Sequence, residues 1–128
     1  MDKQHILVIG DGGVGKTSYI RNQIGKKFRR QYFPTERLNI YETNTTVWYD
    51  FPGQQKYGSH YILDKIDKID TVIYMYDLTN NLSFKNLNYW QNFVHKCFGN
   101  ICSHRIGSKS DLNPVITNSD IKNTNIHN

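Results

Sequence analysis

Short apolar or alternating runs along this chain are separated by stretches of helical period. His5-Ile6-Leu7-Val8-Ile9 is an apolar run ending at Gly10, which reads as a buried strand. The spacing predicts a helix over 16–24, stopped by Gly25. Residues 26–37 show no clear period and contain Pro34, so they read as a loop. Residues 38–43 and 46–51 flank Asn44-Thr45 and read as a hairpin. Pro52-Gly53 interrupts that pattern, and 54–58 continues as loop. Ile62, Leu63, Ile66 and Ile69 fall at helical spacing within 61–69. Residues 71–76 are strongly β-prone. Phe84, Leu87, Trp90, Val94 and Cys97 form one stripe of a core-facing helix over 83–98. A weaker strand follows over 101–107. From Asp111 the chain is polar and rich in Asn, with one helical turn expected over 117–122.

Strands alternating with helices predict an α/β fold. The expected sheet is mostly parallel, with one antiparallel edge strand from the hairpin and helices on both faces. The pattern ends after a fifth strand. At 128 residues the chain suits one domain over 1–128. Its 38% of hydrophobic residues is enough to build a core, which excludes global disorder. The net charge of +5 suits acidic partners, and Lys26-Lys27 with Arg29-Arg30 concentrates part of it. No RNA-binding signature accompanies that charge, so nucleic acid is not an expected partner. Cys97 and Cys102 are expected to be reduced, buried or inert. There is no signal peptide, no apolar stretch near the roughly 20 residues of a membrane span, and no lipidation box. These features predict a protein of the cytoplasm or nucleus without a membrane anchor.

Gly10-Asp11-Gly12-Gly13-Val14-Gly15-Lys16-Thr17 satisfies G-x-x-x-x-G-K-[ST] between a predicted strand and a predicted helix. That is the setting of a phosphate-binding loop, and it narrows the α/β fold to the P-loop NTPase class. Glycines let the backbone wrap a phosphate chain and point its N–H groups at the anion. Asp11, Gly12, Gly13, Val14, Gly15, Lys16, Thr17 and Ser18 are the candidate nucleotide contacts. Lys16 is expected to reach the β- and γ-phosphates, and Thr17 to ligate Mg²⁺. Asp50-Phe51-Pro52-Gly53-Gln54 follows the second hairpin strand. Asp50 suits a water-mediated Mg²⁺ contact. The Gly53 N–H suits the γ-phosphate, and Gln54 suits orientation of the attacking water. Ser108-Lys109-Ser110-Asp111 follows a candidate strand. A carboxylate at Asp111 can accept both N–H groups of the guanine edge, a donor pair that adenine lacks.

In this order, the motifs make residues 6–112 similar to the Ras-like small GTPases. The chain most resembles the Ran branch, through Gly10-Asp11-Gly12-Gly13, Gln54-Gln55-Lys56-Tyr57-Gly58, Tyr76-Asp77-Leu78-Thr79, Phe84-Lys85-Asn86-Leu87 and Tyr89-Trp90. The resemblance implies GTP and GDP as ligands with Mg²⁺. It implies that Phe28 stacks on guanine and that Lys109 and Asp111 complete the base pocket. It also implies that Thr35 ligates Mg²⁺ in a first switch and that Tyr32 closes over the phosphates. Residues 50–61 would form a second switch, and both switches would dock regulators and effectors. Ser108 departs from the family's Asn, and Pro52 from its small residue. The hairpin is short, there is no acidic tail, and the chain ends before a second guanine loop, last strand and last helix. An open sheet edge would then favour self-association.

The leading expectation is therefore a guanine-nucleotide switch with slow Mg²⁺-dependent GTP hydrolysis, with Lys16 and Gln54 as the catalytic residues. The alternative is a catalytically weak mimic that captures transport or regulatory factors through its switch surface. A nucleotide kinase would need an arginine-bearing lid and an acceptor site, and neither is recognisable.

Overall fold

The structure is a computed structural model that describes residues 2–34, 37–53 and 66–108. Its elements in chain order are β1 (Gln4–Ile9), α1 (Lys16–Ile24), β2 (Arg29–Phe33), β3 (Leu38–Glu42), β4 (Thr46–Asp50), β5 (Thr71–Asp77), α2 (Asn81–Lys85), α3 (Leu87–Phe98) and β6 (Cys102–Ser108). The strands form one sheet in the order β2-β3-β4-β1-β5-β6. β1 pairs in parallel with β4 and β5, and β5 in parallel with β6. β3 is antiparallel to both β2 and β4, so it alone runs against the others.

Alternation across the strands sends side chains to two cores. Leu7, Ile9, Val72, Tyr74 and Tyr76 face the side covered by α2 and α3, where Phe84, Leu87, Trp90 and Val94 complete the packing. Val8, Ile73, Met75, Tyr41 and Trp48 face the opposite side, against Ile20 and Ile24 of α1. Helices thus cover both faces, and the α/β class and mostly parallel sheet hold. The larger core is aromatic. Trp90 is fully buried and meets Phe51 edge-on at 5.4 Å. Truncating a Trp in such a setting costs about 3–5 kcal/mol.

Several local expectations need correction. Residues 29–33, read as loop, form β2, which makes six described strands rather than five. β2 shows no apolar period because its side chains are almost all exposed. Backbone pairing of Arg29–Phe33 with Leu38–Glu42 alone defines it. The antiparallel strand is therefore β3, one place in from the edge. The helix expected over 83–98 starts earlier, at Asn81, and divides at Asn86. Asn80 sets that start, its Oδ1 accepting from the N–H groups of Leu82 and Ser83. Cys97 is exposed, as is Cys102, and Phe93 takes the buried position on the stripe. Residues 66–69 are not helical. Ile66 is buried and Ile69 packs against the same core, so the apolar spacing there reports burial rather than a helix. Residues 61–65 and 117–122 lie outside the described residues.

The hairpin turn forms as expected. The Thr43 N–H donates to the Thr46 carbonyl at 2.9 Å, and Thr43 Oγ1 accepts from the N–H groups of Thr45 and Thr46. At the same end of the sheet the His5 N–H donates to the Asp70 carboxylate, and the Asp70 N–H donates to the His5 carbonyl. No helix among the described residues is long and apolar enough to cross a membrane.

Candidate nucleotide site

β1 and β4 end side by side, with Val8 in register with Asp50. The carboxyl ends of parallel strands are where open α/β sheets bind ligands. Here the chain leaves β1 through Gly10 and enters α1 at Lys16. A Cβ on Gly10 would lie 2.2 Å from the Met75 carbonyl oxygen, so only glycine lets the loop pass over β5. A cavity of about 510 Å³ opens above the loop. Gly12, Gly13, Gly15, Lys16, Thr17 and Ser18 line one side, and Arg37, Asn39, Asp50, Phe51 and Pro52 the other.

Lys16 is buried beneath this cavity. Its ammonium donates to the carbonyl oxygens of Gly10 at 3.0 Å and Asp11 at 2.6 Å. Burial drives its pKa from the ordinary 10.5 to about 8, while the charges of Asp50 and Asp11 hold the proton on. The Thr17 hydroxyl donates to Asp50 Oδ2 at 2.5 Å. Burial also raises the Asp50 carboxyl above the usual carboxylate range, opposed by the Thr17 bond and by Lys16. Gly53, at φ 72°, sits against the loop. A Cβ there would lie 2.5 Å from the Gly10 oxygen and 2.7 Å from both Gly12 N and Lys16 Nζ. Motifs at 10–17 and 50–53, distant in sequence, are therefore in direct apposition.

These residues fit a magnesium–phosphate group. Thr17 and Asp50 offer a hydroxyl and a carboxylate at one point beside the lysine. Among the described residues no three His, Cys, Asp or Glu side chains are arranged to hold a metal. Thr17 and Asp50 would hold a magnesium ion here, whose remaining oxygens would come from water and phosphate, its usual preference. Asn39 Oδ1 is buried beside Asp50 and accepts no hydrogen bond among the described residues. It suits a water on the ion or a ligand hydroxyl.

The residues expected at the base end are held differently. Phe28 packs edge-on against Tyr41 at 5.6 Å, and the Arg21 guanidinium lies 5.6 Å from its ring centre. Ser108 ends β6 with its hydroxyl directed to the carbonyl oxygens of Val14 and Tyr76. It ties the phosphate loop to β5. Tyr32 lies on β2, exposed, beside Arg30. Thr35, Gln54, Lys109 and Asp111 lie outside the described residues.

Asp11 is turned away from the cavity. Its carboxylate accepts from Asn86 Nδ2 at 2.7 Å and from Trp90 Nε1 at 2.9 Å. Sequence reasoning missed this pairing, and it missed Arg37 and Asn39 as lining residues. Asn39 had a signal: it is the polar position on the same face of β3 as the buried Tyr41. Arg37, at φ 56°, carried none.

The model of the Ras family matches residues 5–126. Together with a glycine-rich loop and an aspartate gathered on one cavity, this establishes that the chain belongs to the Ras family of GTP-binding switch proteins.

Proposed function

We propose that this protein is a guanine-specific switch that hydrolyses GTP slowly in the presence of Mg²⁺. The observation that carries the reading is one cavity lined by Lys16, Thr17 and Asp50, with Gly53 packed against its loop and the Lys16 ammonium. In this reading Lys16 and the N–H groups of residues 12–18 bind the phosphates. Thr17, Asp50 and Thr35 hold Mg²⁺, which neutralises charge on the transferring phosphoryl group. Gln54 orients the attacking water. Phe28, Lys109 and Asp111 recognise guanine, and the two switch segments dock regulators and effectors. A Ran-like position within the family is the finer reading. It rests on the sequence pieces from Gly10-Asp11-Gly12-Gly13 to Tyr89-Trp90.

The test is mass spectrometry of nucleotide released from freshly purified protein, followed by single-turnover phosphate release. Bound GDP or GTP, and phosphate release slowed in Gln54→Leu, is the expected result. Bound adenine nucleotide, or equal rates in both proteins, overturns it.

The second reading is a mimic that docks partners without cycling. It is favoured by the internal bonding of the loop, where the Lys16 ammonium donates to the loop's own Gly10 and Asp11 carbonyl oxygens. A stable protein purified without nucleotide supports the mimic instead.

A further inference from the structure

A carboxylate inside an anion-binding loop is an electrostatic liability, since it repels the phosphates the loop must hold. Asp11 is such a group, immediately after Gly10 and with its carbonyl oxygen on the Lys16 ammonium. Both of its carboxylate oxygens are occupied by donors from the α2–α3 junction. Asn86 reaches Oδ2 at 2.7 Å and Trp90 reaches Oδ1 at 2.9 Å. These donors are four residues apart, one helical turn, so they project from the same side of α3. Asn86 is held there by its own backbone. Its N–H donates to the Leu82 carbonyl, and its carbonyl accepts from the Trp90 N–H. Trp90 is fully buried, with Phe51, Phe93 and Tyr89 each edge-on to its ring. The buried indole N–H needs an acceptor, and among the described residues Asp11 supplies it.

We propose that Asp11, Asn86 and Trp90 form a latch that holds the first turn of the phosphate loop onto α3 and keeps the Asp11 charge off the bound phosphates. Asp11 is then a positioning residue rather than a nucleotide contact. Asn86 and Trp90 become determinants of nucleotide affinity although neither lines the cavity. Opening the latch frees a negative charge within reach of the phosphates, so the damage comes from Asp11 itself. This rests on the nucleotide reading of the loop given above.

That logic makes an unusual rescue the test. The full chain is titrated calorimetrically with GDP and Mg²⁺ as wild type, Asn86→Ala, Asp11→Ala and the double variant. Asn86→Ala is expected to weaken binding about tenfold, the scale of one hydrogen bond to a charged group. Adding Asp11→Ala is expected to restore affinity to within about threefold of wild type. A double variant no tighter than Asn86→Ala, or an Asn86→Ala protein that binds like wild type, overturns the proposal. If wild type binds no GDP, the nucleotide reading fails and the latch is read without ligand. With Trp48→Phe as background, Trp90 alone reports by fluorescence. Asp11→Ala must then shift its emission, and an unchanged spectrum sinks the latch.

Discussion

The two ends of the nucleotide site are held together by different means. At the phosphate end the groups bond to one another: Lys16 to loop carbonyls, Thr17 to Asp50, and Gly53 in contact with the loop backbone. At the base end the groups bond to the scaffold. Phe28 leans on Tyr41, and Ser108 spends its hydroxyl proton on backbone oxygens of Val14 and Tyr76. A hydroxyl has one proton to donate, so Ser108 in this arrangement fastens the loop and has none left for a base. In the proposed reading, grip on phosphate would be preorganised by these bonds, whereas selection of a base would fall on fewer groups.

The largest effect that separates the ends is expected from Lys16→Met. Loss of a charge-assisted contact to phosphate should weaken GDP binding by about 100-fold. The same change removes a buried charge, so thermal stability of the ligand-free protein should hold or rise. A fall in both, measured by calorimetry and melting, would mean that the lysine serves the fold. Gly53→Ala is next. The new Cβ meets backbone at 2.5 Å and the position requires a positive φ. Together these cost about 2–4 kcal/mol. Inorganic pyrophosphate should lose affinity along with GDP, because the clash is at the phosphate end. Ser108→Asn sharpens the comparison from the other side. An amide brings two donor hydrogens, one for the tether and one for the base. GDP should bind a few-fold tighter, about the value of one neutral hydrogen bond, with pyrophosphate unchanged. Equal gains for both ligands would assign Ser108 to the phosphate end.

The smallest effect is on pH. Lys16 has a folded-state pKa of about 8 against an ordinary 10.5. Between those values the unfolded chain binds more protons, so stability of the ligand-free protein should rise with pH across that window. The cost of the buried ammonium is fully present below about pH 8 and relieved above it. Urea melts at stepped pH check this, and Lys16→Met should lose that rise.

What the sequence made legible was local. Residues 10–17 carry their chemistry contiguously, and α1 was read with its ends in place because Gly25 stops it and the loop starts it. The apolar run of β1 and the β-prone run of β5 declared the sheet. β2 was invisible because a strand made by backbone pairing, with Arg29, Arg30 and Gln31 exposed, leaves no apolar period. The Asp11 latch was invisible for another reason. Its partners lie 75 and 79 residues downstream, and only the fold brings a helix break beneath the loop. Cys97 misled because it falls at stripe spacing on α3 yet is exposed, while Phe93 and Phe98 on the same helix turn to the core.

The strand order also has a consequence for how the chain acquires its shape. β1 is made first, yet its neighbours are β4 and β5, so it has no partner until residues 46–50 and then 71–77 have followed. The β2–β3 and β3–β4 pairings of the meander are local in sequence and can form early. At translation rates of about 5–20 residues per second, Leu7, Val8 and Ile9 wait for seconds with both strand edges bare. The segment that opens the phosphate loop is thus the one most in need of protection while the protein is being born.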